Sequence, residues 1–302
     1  MNNPRSTLLS RVLPTRVLVT GSNGLVGRAV VQAFRSSGAE VCEVVRKKNG
    51  TSTSSLEIDL ATSGRDLSRL VRNPPMVVVH CAAAVPHWER YPDNEDTASA
   101  TRKMDNAVIQ AAECWEALLV YISSCGLYDP RDPSWKTEKS PLMPRSPYFS
   151  AKLHGESAVQ KYSGIILRIS APYGPGMSPM LVLSRFIKRA LAGSPLQIWG
   201  KGSREQDFIA AKDVAQAVLA AARVQEPGVF NVAACIPLTM TGLAGEVIRG
   251  LGTGTTEFTG QVDPQEGWTT RYSVVKAKER LSWSSTSDLV FGIQELASES
   301  TQ

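Results

Sequence analysis

The sequence predicts an α/β fold in which a doubly wound parallel sheet carries a smaller, partly interleaved α/β domain toward the C-terminus. Two observations lead to this prediction. Short, continuous apolar runs alternate with segments of helical periodicity up to about residue 169, and a glycine-rich loop follows the first apolar run directly. Strands that are buried on both faces have continuous apolar sequences, and helices between them imply right-handed βαβ units.

The elements of this sheet are predicted in order along the chain. Strand segments are rich in Val, Ile and Leu, whereas helical segments repeat apolar residues every three or four positions. The predicted strands are Arg16–Thr20, Glu40–Val45, Met76–His80, Leu118–Ser123 and Gly164–Arg168. The predicted helices are Leu25–Phe34, Thr97–Trp115 and Tyr148–Tyr162.

A loop with three glycines joins the first strand to the first helix. Its spacing is Gly-x-x-Gly-x-x-Gly over residues 21–27. The first glycine permits a tight turn, the second lets the backbone approach a pyrophosphate, and the third lets the helix pack close to the strand. The helix N-terminus then offers free N–H groups to the anion. The loop predicts a dinucleotide-binding Rossmann unit with cofactor contacts from Gly21, Asn23, Gly24, Leu25, Val26 and Gly27.

The chain is predicted to contain three parts. Residues 1–14 are polar and contain two prolines, so we expect a disordered leader. Residues 15–169 carry the alternating pattern and form the NAD(P)-binding Rossmann domain. Beyond about residue 170, Gly and Pro become frequent and helices are predicted near 180–192, 239–251 and 286–297. Residues 170–302 are therefore mainly a substrate-binding domain, with residues 205–232 returning to the Rossmann domain.

Composition restricts the partners of this protein. The formal net charge is +5, from 33 scattered basic and 28 acidic residues. This excess gives no argument for nucleic acid and suits an anionic small-molecule substrate. The five cysteines have no ligand spacing with the three histidines, so we expect reduced thiols and no metal site. No apolar stretch reaches the ~18–20 residues of a membrane helix, and we expect a cytoplasmic protein with no membrane partner.

Several short motifs follow the glycine loop in a characteristic order. In the first half of the chain they are His80-Cys-Ala-Ala83, Ser123-Ser124 and Tyr148-Phe-Ser-Ala-Lys152. The later motifs are Leu167-Arg168, Tyr173-Gly-Pro-Gly176, Gln206-Asp-Phe208, Asp213-Val-Ala215 and Gly228-Val-Phe-Asn231. Together they resemble the extended short-chain dehydrogenases, in the NAD-dependent epimerase/dehydratase family of nucleotide-sugar enzymes. The resemblance covers roughly residues 16–297.

The resemblance implies a catalytic group of Ser124, Tyr148 and Lys152. Positions i and i+4 share one face of a helix, so Tyr148 and Lys152 can point into one cleft. A phenol has a reference pKa of about 10, which a nearby ammonium and an oxidised nicotinamide ring lower. We expect Tyr148 to exchange a proton with the substrate while hydride moves at the same carbon. Ser124 would hydrogen-bond the reacting oxygen of the substrate, and Tyr148 and Lys152 would also contact the cofactor.

Further cofactor contacts follow from the resemblance. Asp59, beside Leu60, resembles the residue that contacts the adenine amino group, and its alternative role is that of a capping carboxylate. Ala82 and Ala83 belong to the motif that follows the predicted strand Met76–His80, so we expect them to flank the cofactor.

The end of the second strand bears on the choice between NAD and NADP. NAD-binding units place Asp or Glu there to bind the ribose hydroxyls. Here Val45 is followed by Arg46 and Lys47, whose cations suit a 2′-phosphate, while Glu43 lies two to three residues early. The sequence therefore favours NADP, and a one-residue shift of the strand would reverse the assignment.

The substrate end departs from the family pattern. Relatives that act on nucleotide sugars often carry Arg directly before the Asp-aromatic pair to bind a diphosphate, and this chain has Gln206 there. In an extended segment, residues 204 and 206 share a face, so we predict Arg204 as the diphosphate ligand. Arg271 is the second candidate for the same role.

These observations favour an NADPH-dependent 4-ketoreductase of a nucleotide sugar. An NAD-dependent 4-epimerase or dehydratase remains open, because such an enzyme needs only a cofactor retained through an oxidation–reduction cycle. Gln206 keeps open a carbonyl or hydroxysteroid-type reductase whose substrate has no diphosphate. The alternative of a different class is a non-catalytic, nicotinamide-sensing regulator on the same fold. A homodimer is one expected assembly.

Overall fold

A computed structural model describes residues 13–47, 55–63, 67–86 and 93–300, with only the backbone described at residue 300. The predicted leader over residues 1–14 lies outside this part of the chain except for residues 13 and 14.

The described residues form twelve strands and ten helices. The strands are β1 Arg16–Thr20, β2 Glu40–Val45, β3 Ser55–Glu57, β4 Val77–His80, β5 Leu118–Ser124, β6 Ile165–Ile169, β7 Ala171–Tyr173, β8 Leu196–Ile198, β9 Glu205–Ala210, β10 Gly228–Val232, β11 Pro237–Thr239 and β12 Thr256–Phe258. The helices are α1 Leu25–Ser36, α2 Leu60–Ser63, α3 Leu67–Leu70, α4 Glu95–Cys114, α5 Pro147–Lys161, α6 Val182–Leu191, α7 Ala211–Val224, α8 Met240–Leu251, α9 Val275–Leu281 and α10 Leu289–Ser300.

Seven parallel strands form the main sheet in the order β10-β6-β5-β4-β1-β2-β3. The chain runs outward from β1 to β2 and β3, and then returns to place β4 on the other side of β1. In open parallel sheets, ligands bind outside the carboxyl ends of the strands at such a reversal. The predicted doubly wound parallel sheet is therefore confirmed, and its topology directs attention to the loops after β1 and β4.

Helices cover both faces of the main sheet. On one face α1 packs against α7, and Val30 and Phe34 share a buried apolar cluster with Val214 and Val218. On the other face α4 packs against α5 over the ring of Tyr121 and its neighbours. Burial on both faces explains why successive residues of these strands are mostly apolar, rather than alternating between apolar and polar.

A smaller region is built from two short sheets and three helices. Its sheets have the strand orders β11-β9-β7 and β12-β8. Helices α6, α8 and α10 supply its core, which includes Phe186, Leu243, Val247 and Ile293. The chain enters this region directly from the main sheet, since β7 begins two residues after β6 ends.

Residues 205–232 divide between the two regions. Helix α7 and strand β10 return to the main sheet, where Phe230 pairs with Leu167 of β6. Strand β9 instead pairs with β7 and β11 of the smaller region. The domain boundary at residue 169 remains a prediction.

Local hydrogen bonds set the helix ends where they differ from the predicted ones. Helix α4 begins at Glu95 because the Asn94 side chain accepts a hydrogen bond from the Thr97 N–H. Helix α10 begins three residues later than predicted, because the N–H groups of Thr286 and Ser287 donate to Asp213 instead. None of the helices in the described ranges combines the length and apolar character needed to cross a bilayer.

Candidate active site

A cleft of about 1150 Å³ opens at the carboxyl ends of β1, β4, β5 and β6. One wall comes from the glycine loop and from residues after β2, β4 and β5. The opposite wall comes from the smaller region, including β9 and residues 265–272. All three residues of the predicted catalytic group line this cleft, as do Gly21, Asn23, Gly24, Leu25, Val26, Gly27, Arg46, Asp59, Leu60, Ala82, Ala83 and Arg204. Lys47 and Arg271 do not.

The glycine loop is packed too closely for side chains. A Cβ on Gly27 would lie 2.1 Å from the Gly21 carbonyl oxygen, and a Cβ on Gly21 would lie 2.8 Å from the backbone of Ala82. Gly21 also has a φ of +64°, a region that L side chains rarely adopt. Helix α1 begins with Gly24 at its N-cap, where no side chain caps the first N–H groups. These N–H groups and the bare backbone fit the pyrophosphate of a nicotinamide dinucleotide.

The wall after β2 and β3 forms one end of the cleft. Arg46, Asp59 and Leu60 lie there, and one carboxylate oxygen of Asp59 also accepts a hydrogen bond from the Ala61 N–H at 2.9 Å. Asp59 thus caps α2 while lining the cleft. The side chain of Glu43 lies outside this wall, and an ion pair with Arg35 at 2.6 Å occupies it. Among the described residues that line this wall, the charged residue at the end of β2 is therefore Arg46. The carboxylate of the wall, Asp59, follows β3 instead.

Helix α5 carries Tyr148 in its first turn and Lys152 one turn later. Ser146 caps this helix by accepting a hydrogen bond from the Phe149 N–H, and Pro147 stands at its first position. The carboxylate of Asp93 accepts from the Tyr148 N–H at 2.9 Å, so two side chains satisfy the first donors of the helix.

Lys152 is buried and held in place. Its Nζ donates to the carbonyl oxygen of Ile122 at 2.9 Å and lies 4.5 Å from the centre of the Tyr121 ring. Burial lowers the pKa of Lys152, because the interior disfavours the ammonium.

The pKa of Tyr148 moves opposite to the sequence-based expectation. Desolvation of the hydroxyl raises it, and the carboxylates of Asp105 and Asp93 add to the effect. The expected lowering by Lys152 is therefore not found in the protein alone. The physical reason is that burial and two nearby carboxylates disfavour the phenolate.

A buried polar chain that we did not predict supports the floor of the cleft. The Thr20 hydroxyl is 2.6 Å from Nδ1 of His80, and Nε2 of His80 is 3.0 Å from the Asp105 carboxylate, which also accepts from the Tyr121 hydroxyl. Burial lowers the pKa of His80, so the neutral imidazole is favoured. The Tyr121 ring in turn lies beneath Lys152. No sequence signal marks Asp105, which lies in the middle of a long helix.

A second buried network fixes the carboxyl end of β5. Arg168 forms a buried ion pair with Glu156 at 2.6 Å, and the Ser123 hydroxyl donates to the same carboxylate. Arg168 also donates to the Tyr128 hydroxyl, which donates to Asn231. Ser124, next to Ser123, accepts from the Gly126 N–H at 3.0 Å and caps the short 3₁₀ turn that follows β5.

The two predicted diphosphate ligands already have partners. Arg204 lines the cleft, but its Nε donates to Asp263 at 2.9 Å and its Nη1 to Gln265. Arg271 forms an ion pair with Glu205 at 2.8 Å and stands outside the cleft wall. The sequence predicts a shared face for residues 204 and 206, but no sequence signal marks the loop that supplies Asp263.

Sequence reasoning missed a group on the wall opposite the glycine loop, which is called the substrate side below. Arg145, Trp268, Thr270 and Tyr272 line this wall together. The sequence signal for Arg145 is its position three residues before Tyr148, in the loop that leads into helix α5. Within the described part of the chain, no group of three His, Cys, Asp or Glu side chains has the geometry to hold a metal ion.

The chain is similar in sequence to curated proteins of known name. It is 33% identical over 168 residues to methionine adenosyltransferase 2 subunit beta of Bos taurus, an alignment covering 53% of this chain and 47% of that protein. It is 31% identical over 137 residues to dTDP-D-glucose 4,6-dehydratase of Mus musculus, covering 43% of this chain and 39% of that protein. The matches thus span about half the length of these curated relatives or less.

Solved structures and a family description agree on the fold. The structure of MoeE5 in complex with UDP-glucuronic acid and NAD superposes with a TM-score of 0.80 at 26% identity, covering 95% of this chain and 100% of that one. Residues 17–233 match the description of the NAD dependent epimerase/dehydratase family. This match extends from the first strand through the glycine loop, the Tyr148–Lys152 helix and β10. The chain therefore belongs to the NAD dependent epimerase/dehydratase family.

Proposed function

We propose that this protein transfers hydride to or from a sugar carbon of a nucleotide sugar. The observation that carries the proposal is the position of Ser124, Tyr148 and Lys152 in the cleft that also contains the glycine loop. When bound, a nicotinamide dinucleotide supplies the hydride donor or acceptor, and the side chains of this cleft supply the proton transfer.

Each residue of the group has a distinct task in this proposal. Tyr148 gives a proton to the substrate oxygen or takes one from it. Ser124 orients the same oxygen by a hydrogen bond. Lys152 binds the nicotinamide ribose while Ile122 holds its ammonium in place. The cofactor is bound by Gly21, Asn23, Gly24, Leu25, Val26, Gly27, Arg46, Asp59, Leu60, Ala82 and Ala83.

One observation favours reduction by NADPH within this proposal. The wall after β2 presents Arg46, whose guanidinium suits a 2′-phosphate, and the Glu43 carboxylate is paired elsewhere. The finer proposal is therefore an NADPH-dependent 4-ketoreductase.

The second candidate is a 4-epimerase or dehydratase that retains NAD through its cycle. It is favoured by the likeness to the mouse dTDP-D-glucose 4,6-dehydratase and to MoeE5, whose structure contains NAD and UDP-glucuronic acid. The two candidates differ in net cofactor use. A reductase consumes one NADPH for each product, whereas an epimerase or dehydratase forms product without net loss of absorbance at 340 nm.

The test combines that stoichiometry with the variant Tyr148→Phe. Tyr148→Phe removes the proton donor and should lower turnover by ~10²-fold or more, with cofactor affinity and thermal unfolding close to those of the unmodified protein. Substrates to screen are the UDP- and dTDP-linked sugars and their 4-keto forms. If Tyr148→Phe kept most of the activity on an identified substrate, the proposal would be wrong.

The cofactor preference has its own matched pair of variants. Arg46→Ala should weaken NADPH binding about tenfold and leave NADH unchanged, because it removes a cation near the 2′-phosphate. Arg72→Ala, an exposed arginine outside the cleft wall, is the control. Tighter binding of NADH than NADPH to the unmodified protein would support the second candidate instead.

A further inference from the structure

Arg145 lies on the wall of the cleft opposite the glycine loop and carries unused hydrogen-bond donors. Its Nε and Nη1 atoms are buried and have no hydrogen-bond partner, while Nη2 donates to the Gly126 carbonyl at 3.1 Å. A guanidinium has five N–H groups, and three of them belong to Nε and Nη1. Leaving buried donors unsatisfied is costly, and such groups in a folded protein require an explanation.

Aromatic rings hold this guanidinium in place. Its central carbon lies 4.3 Å from the centre of the Trp268 ring and 5.8 Å from that of Phe149. These cation–π contacts hold the guanidinium without using its N–H donors, so the donors on Nε and Nη1 remain available. Burial lowers the pKa of Arg145, because the interior disfavours the guanidinium cation.

The other arginines of the substrate side are neutralised. Arg204 pairs with Asp263, and Arg271 pairs with Glu205. No carboxylate in the described part of the chain forms an ion pair with Arg145, although Asp129 exerts a longer-range attraction on it. Thr270, on the same wall, adds a buried hydroxyl oxygen without a partner.

We propose that Arg145 is the residue that binds an oxyanion of the substrate in this cleft. The proposal rests on the proposed function for the identity of the substrate. Two parts of a nucleotide sugar carry such an oxyanion, namely the diphosphate and a carboxylate on an acidic sugar. The loop that contains Arg145 leads directly into Tyr148, so the oxyanion is bound on the same side of the cleft as the proton donor.

The test measures binding of several anions to the cofactor-loaded protein and to three variants. For ligands that carry the oxyanion bound by Arg145, Arg145→Gln should weaken binding by about ten- to a hundredfold, because it removes charge-assisted hydrogen bonds. Arg145→Lys should keep part of the affinity, since the charge remains but the planar donor set is lost. Arg131→Gln is the matched control, because Arg131 lies in the preceding loop, is 62% exposed and stands outside the cleft wall.

The ligands separate the two sources of the oxyanion. Calorimetry is performed with UDP, UDP-glucose and UDP-glucuronic acid, together with the dTDP analogues. If Arg145 binds the diphosphate, Arg145→Gln weakens all of these ligands alike. If it binds a sugar carboxylate, Arg145→Gln weakens UDP-glucuronic acid and leaves UDP-glucose unchanged. Either result supports the proposal. If these ligands bind measurably and with equal affinity to the unmodified protein and to Arg145→Gln, the proposal is overturned.

Inorganic phosphate tests the inference separately from the proposed function. Because Trp268 stacks on Arg145, phosphate bound there should change indole fluorescence in a saturable manner. This change should disappear in both Arg145→Gln and Trp268→Phe. If phosphate binds through Arg145 but no nucleotide sugar binds, the inference stands and the proposed function fails. If nucleotide sugars bind but neither they nor phosphate depend on Arg145, the inference fails and the proposed function stands.

Discussion

At the scale of single residues, the glycine loop shows how a missing side chain can be required for two different reasons. Position 21 requires glycine for its conformation, because a φ of +64° lies in a region that L side chains rarely adopt. Gly27 instead needs its space, because the helix it belongs to lies against the turn that begins at Gly21. A side chain at Gly27 would push α1 away from this turn, and one at Gly21 would collide with the backbone of Ala82.

The packing at Gly27 leads to a prediction with a matched control. Gly27→Ala should destabilise the fold by about 1–3 kcal/mol and abolish cofactor binding, because its Cβ has no room beside the Gly21 carbonyl. Gly245→Ala, in the exposed part of α8 where nothing lies within 4 Å, should instead add about 0.5–1 kcal/mol of stability. Chemical denaturation and cofactor titration of both variants check this. Normal cofactor affinity in Gly27→Ala would contradict it.

At the scale of elements, the start of helix α5 decides where Tyr148 lies. Ser146 and Asp93 bind the first N–H groups, and Tyr148 follows within the same turn. The Tyr and Lys spacing is visible in the sequence, but it is the helix cap that fixes the depth of this turn in the cleft.

The cap of α5 should therefore affect catalysis as well as stability. Ser146→Ala should cost about 1 kcal/mol of unfolding free energy and lower turnover about tenfold by misplacing Tyr148. Thr239→Ala removes the corresponding cap of α8, where Thr239 accepts from the Gly242 N–H at 2.9 Å. It should cost about the same stability with turnover unchanged. If both variants lost turnover equally, the cap would have no special role in the site.

At the scale of the whole molecule, the cleft exists only because two distant parts of the chain meet. Residues 263–272 extend along the substrate side, where Arg204 binds Asp263 and the Thr269 N–H donates to the Pro130 carbonyl. The same segment carries Trp268, which stacks on Arg145. Arg204 thus anchors a wall of the cleft.

This anchoring changes what is expected of variants at Arg204. If Arg204 holds the segment, Arg204→Met and Asp263→Asn should weaken nucleoside-diphosphate binding by a similar factor of about five, or about 1 kcal/mol, and both should alter Trp emission. Arg280→Met, which breaks the surface pair with Glu226, is the control. If Arg204→Met weakened nucleoside-diphosphate binding and Asp263→Asn did not, the result would instead support the direct diphosphate contact that the sequence predicts.

The sequence by itself determined the main sheet and the glycine loop, because these depend on local periodicity and on motifs within a few residues. From such motifs it also predicts the catalytic positions. It also predicts that residues 205–232 return to the first domain, where the structure has α7 and β10 but not β9. The tertiary structure alone decided the pKa direction of Tyr148, the pairing of Arg204 and the unused donors of Arg145. Each of these depends on groups more than forty residues away in the chain, such as Asp105, Asp263 and Trp268. Charge, burial and hydrogen bonding are properties of neighbours in space, and one sequence does not reveal which distant residues those neighbours are.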